Sequence, residues 1–265
     1  MSENPLANQW ALILGASSGF GAASARALAR EGCHIVGVHL DRKATMPQVH
    51  ALVEDIEAQG VSALFFNINA SSEEKRAEVL SALAERGVKR VKILMHSLAF
   101  GTLLPYFPEN TDDKSMRRDR MEMTLDVMGH SLVYWTQDLH RAGLLGEGGR
   151  VFAMTSSGGT RVIPSYGAVS AAKASLESHI RQIASELGRV GVTANALRAG
   201  VTDTPALRMI PGHETLLETA RKHNPFGRLT TPEDVAQAIV ALSGPGGNFI
   251  SGNVIGVDGG EDIVG

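Results

Sequence analysis

Residues 10–28 read Trp10-Ala11-Leu12-Ile13-Leu14-Gly15-Ala16-Ser17-Ser18-Gly19-Phe20-Gly21-Ala22-Ala23-Ser24-Ala25-Arg26-Ala27-Leu28. An apolar run, a glycine turn and a helical pattern follow one another in the order strand, turn, helix. Glycines at such a turn let backbone approach a pyrophosphate and let helix pack closely on strand, while the helix N-terminus offers unpaired N–H groups to an anion. The spacing is GxxxGxG and not the general GxGxxG. Nucleotide binding is therefore expected from the position of the turn after the first strand, with Gly15, Ser17, Ser18, Gly19, Phe20 and Gly21 as its residues.

Outward from this unit the alternation continues to about Val257, with no linker-like stretch and no internal repeat. Strands are expected to begin near Trp10, His34, Ser62, Lys92, Arg150, Thr193 and Asn253. Helices are expected over about 20–31, 46–59, 72–86, 112–141, 165–189 and 232–243, the last opened by the cap Thr231-Pro232-Glu233-Asp234. This is an α/β pattern: one Rossmann domain over residues 1–265, a doubly wound seven-stranded parallel sheet with helices on both faces. The stretch Val201–Thr230 holds Pro205, Pro211, Gly212, Pro225 and Gly227 and is long for a connection. It reads as a substrate-covering loop, with a surface excursion as the alternative.

A chain of 265 residues, 43% hydrophobic with 29 glycines and 5% aromatics, is a packed α/β protein and not a disordered or fibrous one. A net charge of −3 gives no reason to expect nucleic acid or an anionic membrane. Cys33 is the single cysteine, so no intrachain disulfide forms and a reducing compartment is expected. Met1–Pro5 lacks the basic and apolar regions of a signal peptide, and no apolar run approaches the ~20 residues of a membrane span. A soluble cytoplasmic protein is expected.

The chemistry points to Arg161-Val162-Ile163-Pro164-Ser165-Tyr166-Gly167-Ala168-Val169-Ser170-Ala171-Ala172-Lys173, a tyrosine seven residues before a lysine at a helix start. On a helix, positions seven apart share a face, so phenol and ammonium can enter one cleft. The lysine charge would then favour phenolate and make Tyr166 a proton donor near neutral pH. Spacing alone also describes ordinary rim residues.

At the end of strand two stands His39-Leu40-Asp41-Arg42-Lys43. A carboxylate there binds a ribose diol, and a cation accepts a 2′-phosphate. Asp41 points to NAD, whereas Arg42 and Lys43 point to NADP. Because the strand-end position is His39 and not an acid, NADPH is expected with NADH possible, His39 and Arg42 being the contacts. The alternative is that all these charges are solvated helix-entry residues. His96 reads as a packing residue, and Met121, Met123 and Met128 read as helix packing. Met116-Arg117-Arg118-Asp119-Arg120 reads as a solvated face, with docking of an acidic carrier as the alternative. His130, His140 and His179 show no ligand spacing, and no metal is expected.

Together these motifs resemble the short-chain dehydrogenase/reductase family over essentially the whole chain. Asn195-Ala196-Leu197-Arg198-Ala199-Gly200-Val201-Thr202-Asp203-Thr204 looks like its nicotinamide-holding segment, and Gly252–Gly260 resembles its last strand. Ordinary members carry Asn-Asn-Ala-Gly after strand four and a tyrosine four residues before the lysine; here those places hold His96-Ser97-Leu98-Ala99 and Val169. Both departures resemble enoyl-acyl-carrier-protein reductases, whose strand end reads His-Ser-hydrophobic-small-Phe and whose pair is Tyr-x6-Lys. With its ordinary glycine turn the chain is similar to the type III enoyl reductases. It departs from many enoyl reductases at Ser156, where they have an aromatic residue, and from the ordinary family at Met128, in place of an asparagine.

The resemblance implies reduction of the carbon–carbon double bond of trans-2-enoyl thioesters on acyl carrier protein, in fatty-acid synthesis, by a homotetramer. Tyr166 would hydrogen-bond the thioester oxygen and Lys173 the nicotinamide ribose. Ser156 would be a second oxygen donor or a strand-end cap. Thr204 and the backbone at Thr202 would hold the carboxamide, Ser97 and Ala99 would line the nucleotide path, and Asn67 and Ile68 would contact adenine. The rival readings are a carbonyl reductase or alcohol dehydrogenase of the same fold, and a nucleotide-binding sensor without turnover.

Overall fold

Seven short runs form strands in the structure, a computed structural model that describes residues 4–110, 112 and 114–264. They are β1 (Trp10–Leu14), β2 (His34–His39), β3 (Ala63–Asn67), β4 (Ile93–His96), β5 (Arg150–Ser156), β6 (Thr193–Ala199) and β7 (Val254–Val257). They make one all-parallel sheet in the order β3-β2-β1-β4-β5-β6-β7. The order reverses between β1 and β4, and in such sheets ligands bind at the carboxyl ends beside that reversal. In register, Leu14 pairs with both Val38 and His96, and Ser156 pairs with Ala199. The residues that follow β1, β2, β4, β5 and β6 are thereby gathered at one edge.

The helices are α1 (Gly19–Arg30), α2 (Met46–Glu57), α3 (Glu73–Glu85), α4 (Arg118–Leu125), α5 (Ser131–Arg141), α6 (Gly167–Leu187), α7 (His213–His223) and α8 (Pro232–Ser243). Period-two alternation along the strands divides the interior in two. Leu12, Leu14, Val36, Val38 and Leu94 face Trp135, Leu176 and Ile180 of α5 and α6. Ala11, Ile13, Ile35 and Met95 face Leu28, Leu52 and Ile239 of α1, α2 and α8. The cap expected at α8 is present and is a capping box, Thr231 and Asp234 bonding each other reciprocally.

The doubly wound sheet is as expected, and two helix readings are corrected. The pattern over 112–141, which includes Asp113 outside the described residues, gives α4 only from Arg118. A π-helical turn, Asp126–His130, then separates it from α5. The stretch 201–230 is no bare loop, for it carries a 3₁₀ turn at Leu207–Met209 and α7. Its Pro and Gly pairs bound that helix instead of breaking it, and Gly212 enters it at φ 76°. Of α7 only Ala220 is buried, so the helix lies on the surface of the domain. Met1, Ser2 and Glu3, on which the leader reading partly rests, lie outside the described residues. Among the described residues no helix is long and apolar enough to cross a membrane.

Candidate active site

β5 ends at Ser156, and the chain makes a short 3₁₀ turn, Ser157–Gly159, before Pro164 and α6. Tyr166 is the residue before α6 and has non-helical angles, φ −92° and ψ 1°. Ser165 just ahead of it sits at φ 61°, a left-handed conformation uncommon for a residue with a Cβ. Such strain persists where surrounding structure imposes it, and here it sets the direction in which Tyr166 leaves the backbone. The Tyr166 hydroxyl lies 3.4 Å from Ser156 Oγ. Lys173, two turns along α6, is buried, and its Nζ donates to the Met154 carbonyl of β5 at 2.8 Å. Tyr166, Ser156 and Lys173 are thus brought together as expected, although Tyr166 caps the helix and does not belong to it.

The expected electrostatics are corrected. Burial raises the Tyr166 phenol above its ordinary value, against a smaller lowering by the Ser156 hydrogen bond. Tyr166 is therefore a neutral phenol at physiological pH. Lys173 does not offset this: burial and the Ser156 hydrogen bond set the direction, and Lys173 Nζ points one of its donors at the Met154 carbonyl. Burial lowers Lys173 itself to about 8, opposed by the charge of Glu177. His96 is wholly buried, bonded through Nε2 to Ser131 Oγ at 2.9 Å, and lowered to about 3 by burial and then by Lys173. It is a neutral packing residue, as its place in the sequence suggested.

Val169 occupies the place of the ordinary family's tyrosine and Met128 that of its helix-four asparagine. Both are buried, at 4% and 3% exposure, in one apolar cluster with Val127 and Ala172, against which Tyr166 packs. Met128 lies in the π turn, a local distortion frequent at functional sites. No polar chain leads from Tyr166 through this cluster.

The glycine turn lies where β1 reaches the reversal. Gly15, at φ 83°, is pressed on the Ser97 carbonyl, which would lie 2.4 Å from a Cβ there. Gly21 is packed on the Gly15 carbonyl, so both glycines serve backbone approach. No side chain caps α1 at Ser18, leaving its first N–H groups for an anion. Gly19 faces Thr204 across the turn, 3.6 Å from a notional Cβ to Thr204 Cγ2. Ser17, Ser18, Gly19, Thr204 and Gln48 line a cleft of about 350 Å³ beside it. A larger cleft, about 470 Å³, lies between Asn224–Thr230 and Gly256–Gly260 and contains none of the expected site residues. Volume is the poorer guide here, because the smaller cleft adjoins the uncapped helix start.

Phe20 and Ile68 pack on the two cores, and Thr202 is buried with its hydroxyl on the Gly200 carbonyl at 2.9 Å. Ser97 contributes its carbonyl to the glycine turn, whereas Ala99 and Arg42 are exposed. His39 is 3% exposed, and its Nδ1 bonds Asp41 at 2.9 Å, so it supports a carboxylate and does not present a cation. Asp41 also accepts from Thr45 Oγ1 at 2.8 Å, and its backbone is tied to the Asn67 side chain in both directions, at 2.9 and 3.0 Å. Burial would raise its carboxyl, but Ser17, Thr45 and His39 outweigh that and hold it below the ordinary value. The acid at the end of β2 is thus Asp41, two residues beyond the place the sequence suggested. The structure adds Thr155 and Glu177, joined at 2.6 Å beneath Lys173; the spacing of Glu177 from Lys173, one helical turn, was the only sign of it.

Arg117, Arg118 and Arg120 are exposed, and they pair with Asp119 and Glu122 on the same helix start, as a solvated face does. His130 Nδ1 lies 3.0 Å from His179 Nε2, a contact between the π turn and α6 that no spacing disclosed.

A doubly wound parallel sheet with a glycine turn after β1 and a Tyr–Lys pair at the start of α6 defines a short-chain dehydrogenase/reductase. Comparison with known proteins narrows this. Residues 15–261 match the family described as Enoyl-(Acyl carrier protein) reductase. The chain belongs to that family. It is similar to the NADH-type enoyl-[acyl-carrier-protein] reductase FabI of Aquifex aeolicus, 30% identical over 88% of this chain and 84% of the relative. The solved structure of the Aquifex aeolicus enoyl reductase (NADH) superposes with a TM-score of 0.84 at 26% identity, covering 98% of this chain and 99% of the other. The chain is also similar, at 29% identity over 97% of its length and 95% of the relative's, to a chloroplastic NADPH-dependent aldehyde reductase-like protein of Arabidopsis thaliana.

Proposed function

We propose that this oxidoreductase reduces the carbon–carbon double bond of trans-2-enoyl thioesters, carried on acyl carrier protein in fatty-acid synthesis. The observation that carries the reading is the apolar replacement of the ketone-reducing relay: Val169 and Met128 are buried together, and the phenol has moved to the cap of α6. In ketone reduction the proton donor stands beside the carbon that takes the hydride. In an enoyl thioester the hydride goes to the β-carbon, and negative charge develops on an oxygen further along the conjugated chain. Three residues of helix correspond to roughly 4–5 Å, the order of that displacement.

The residues at the glycine turn fit a nicotinamide dinucleotide, through the uncapped start of α1, the close backbone at Gly15 and the Asp41 carboxylate. When bound, that group supplies the hydride. Tyr166, a neutral phenol, donates a hydrogen bond to the thioester oxygen and stabilises the enolate as an oxyanion donor does. Ser156, 3.4 Å away, orients the phenol or donates alongside it. Lys173, anchored on Met154, presents positive charge to the nicotinamide ribose. Gly19 and Thr204, which face each other, would border the nicotinamide half, and Asn67, which holds the β2 end, would lie beside the adenosine.

For cofactor choice, the expectation of NADPH gives way to NADH in this proposal. A carboxylate held ionised by three neighbours suits a ribose diol and repels a 2′-phosphate, and His39 is turned inward to support it. The homotetramer remains part of the proposal, supported by exposed Phe249 just ahead of the edge strand β7 and by Val254 at its start. The cytoplasm does too, supported by a lone Cys33 whose thiol burial pushes up to about 12 and so keeps inert.

One observation favours a second reading. Ser156 beside Tyr166 is also a pair suited to polarising a ketone. Turnover with crotonyl thioesters against 3-ketoacyl thioesters and simple ketones separates the two. Activity confined to the ketones rejects enoyl reduction.

A further inference from the structure

Three consecutive residues of β5 each hold one residue of α6 or its cap. Met154 accepts from Lys173 at 2.8 Å, Thr155 Oγ1 donates to Glu177 Oε1 at 2.6 Å, and Ser156 Oγ lies 3.4 Å from the Tyr166 hydroxyl. The outer two contacts bear the groups of the proposed chemistry. The middle one holds Glu177, to which that chemistry assigns nothing. Glu177 follows Lys173 by four residues, and side chains at that spacing lie on one face of a helix. Both pass the same glycine: a Cβ at Gly159 would lie 3.4 Å from Lys173 Cβ and 3.6 Å from Glu177 Oε1. A carboxylate fixed by a buried threonine, at 4% exposure, therefore stands one turn along α6 from the buried Lys173, close to the root of its side chain.

We propose that Glu177 is the positioning residue of Lys173: locked by Thr155, its carboxylate keeps the buried ammonium charged and fixes α6 on β5 at the height where Lys173 and Tyr166 meet the bound molecules. The proposal rests on the assignment of Lys173 to the cofactor given above. Burial pulls Lys173 down and the charge of Glu177 acts against it, the two together leaving the group at about 8.

Among the described residues no other group supplies the same support. From β4, His96 is neutral and wholly buried. From the cap of α6, Tyr166 is a neutral phenol. Arg198 of β6, the register partner of Thr155, is taken up by Asp262 at 2.9 Å. In the π turn, Asp126 accepts from Tyr134 at 2.9 Å and His130 pairs with His179. Arg181, one turn past Glu177, is exposed.

The test is the pH dependence of NADH binding, followed by the quenching of protein fluorescence from pH 6 to 9, in the full-length protein. Glu177→Gln keeps an oxygen for Thr155 and removes the charge. Its affinity is expected to match the wild type near pH 6 and to fall off about one pH unit earlier on the alkaline side, roughly a tenfold loss at a pH where the wild type still binds. Glu177→Asp is expected to restore part of the alkaline limb. Thr155→Val, which frees the carboxylate but keeps its charge, is expected to give an intermediate shift. An alkaline limb present in the wild type and unmoved in both Glu177→Gln and Thr155→Val overturns the proposal alone. An equal loss for Glu177→Gln at every pH also overturns it, since that is a structural effect. A wild type with no alkaline limb overturns the Lys173 assignment, and the proposal with it. Should Glu177→Gln not fold, the Thr155→Val comparison decides by the same criterion.

Discussion

Tyr166 works, in this account, as a neutral hydrogen-bond donor, and that distinguishes it from a phenolate base. Its phenol is raised by burial, and of its neighbours Ser156 opposes that only in part. Tyr166→Phe is expected to lower turnover on an enoyl thioester by a factor on the order of 10²–10³, as loss of an oxyanion donor does. NADH affinity should stay within about twofold, because the phenol does not hold the nucleotide. Parallel losses in both, measured by steady-state kinetics and fluorescence titration, would contradict the assignment. Asp41 makes a second prediction. Asp41→Asn removes the charge that repels a 2′-phosphate, and the ratio of kcat/KM for NADPH to that for NADH is expected to rise about tenfold, on the order of 1.4 kcal/mol. An unchanged ratio would return the choice to Arg42 and Lys43. The residues of the site were legible as types and spacings, whereas their electrostatics were not. Whether the Lys173 ammonium is anchored on the Met154 carbonyl or turned to Tyr166 depends on how α6 sits on β5, which no local spacing states.

Between residue and domain, the segment before α6 controls the site. Ser165 holds φ 61° between Pro164 and the cap residue. Ser165→Gly is expected to fold with unchanged stability, because glycine adopts that conformation without strain. Ser165→Val is expected to cost about 1–3 kcal/mol and to lower turnover as the Tyr166 direction shifts. Urea unfolding followed by circular dichroism reads the first effect, and an undiminished midpoint in Ser165→Val would refute the strain. The same scale shows why some elements escaped the sequence. One long helical pattern became α4, a π turn and α5, because all three are helical and only the hydrogen-bond spacing changes at Asp126–His130. α7 escaped because proline and glycine pairs flank it and only Ala220 is buried, so little periodicity marks it. β1, α1 and the α8 cap were plain, since glycine, proline and capping residues act locally.

Across the whole molecule, alternation of apolar runs with helical periods fixes a parallel sheet covered on both faces, and the seven strands stand where the runs predicted. The cost of that close-packed middle is a buried imidazole. His96 has its folded pKa lowered to about 3 from 6.5, chiefly by burial. Between those values the unfolded chain binds the proton and the folded one does not. Stability therefore declines as pH falls below about 6.5, and rises again with pH. Urea midpoints between pH 7 and 5 are expected to fall more steeply in the wild type than in His96→Asn, and equal slopes would show that His96 does not titrate on unfolding. The same sheet brings the ends of β1, β2, β4 and β5 together, which makes one cleft of residues distant in sequence. The central claim is that the cleft reduces a conjugated double bond. Its most direct test is the loss of reduced-nicotinamide absorbance with a trans-2-enoyl thioester, NADH and NADPH offered in parallel, against a 3-ketoacyl thioester and a simple ketone. Oxidation is expected with the enoyl thioester, faster with NADH, and none with the ketones; oxidation with the ketones alone would rule out enoyl reduction.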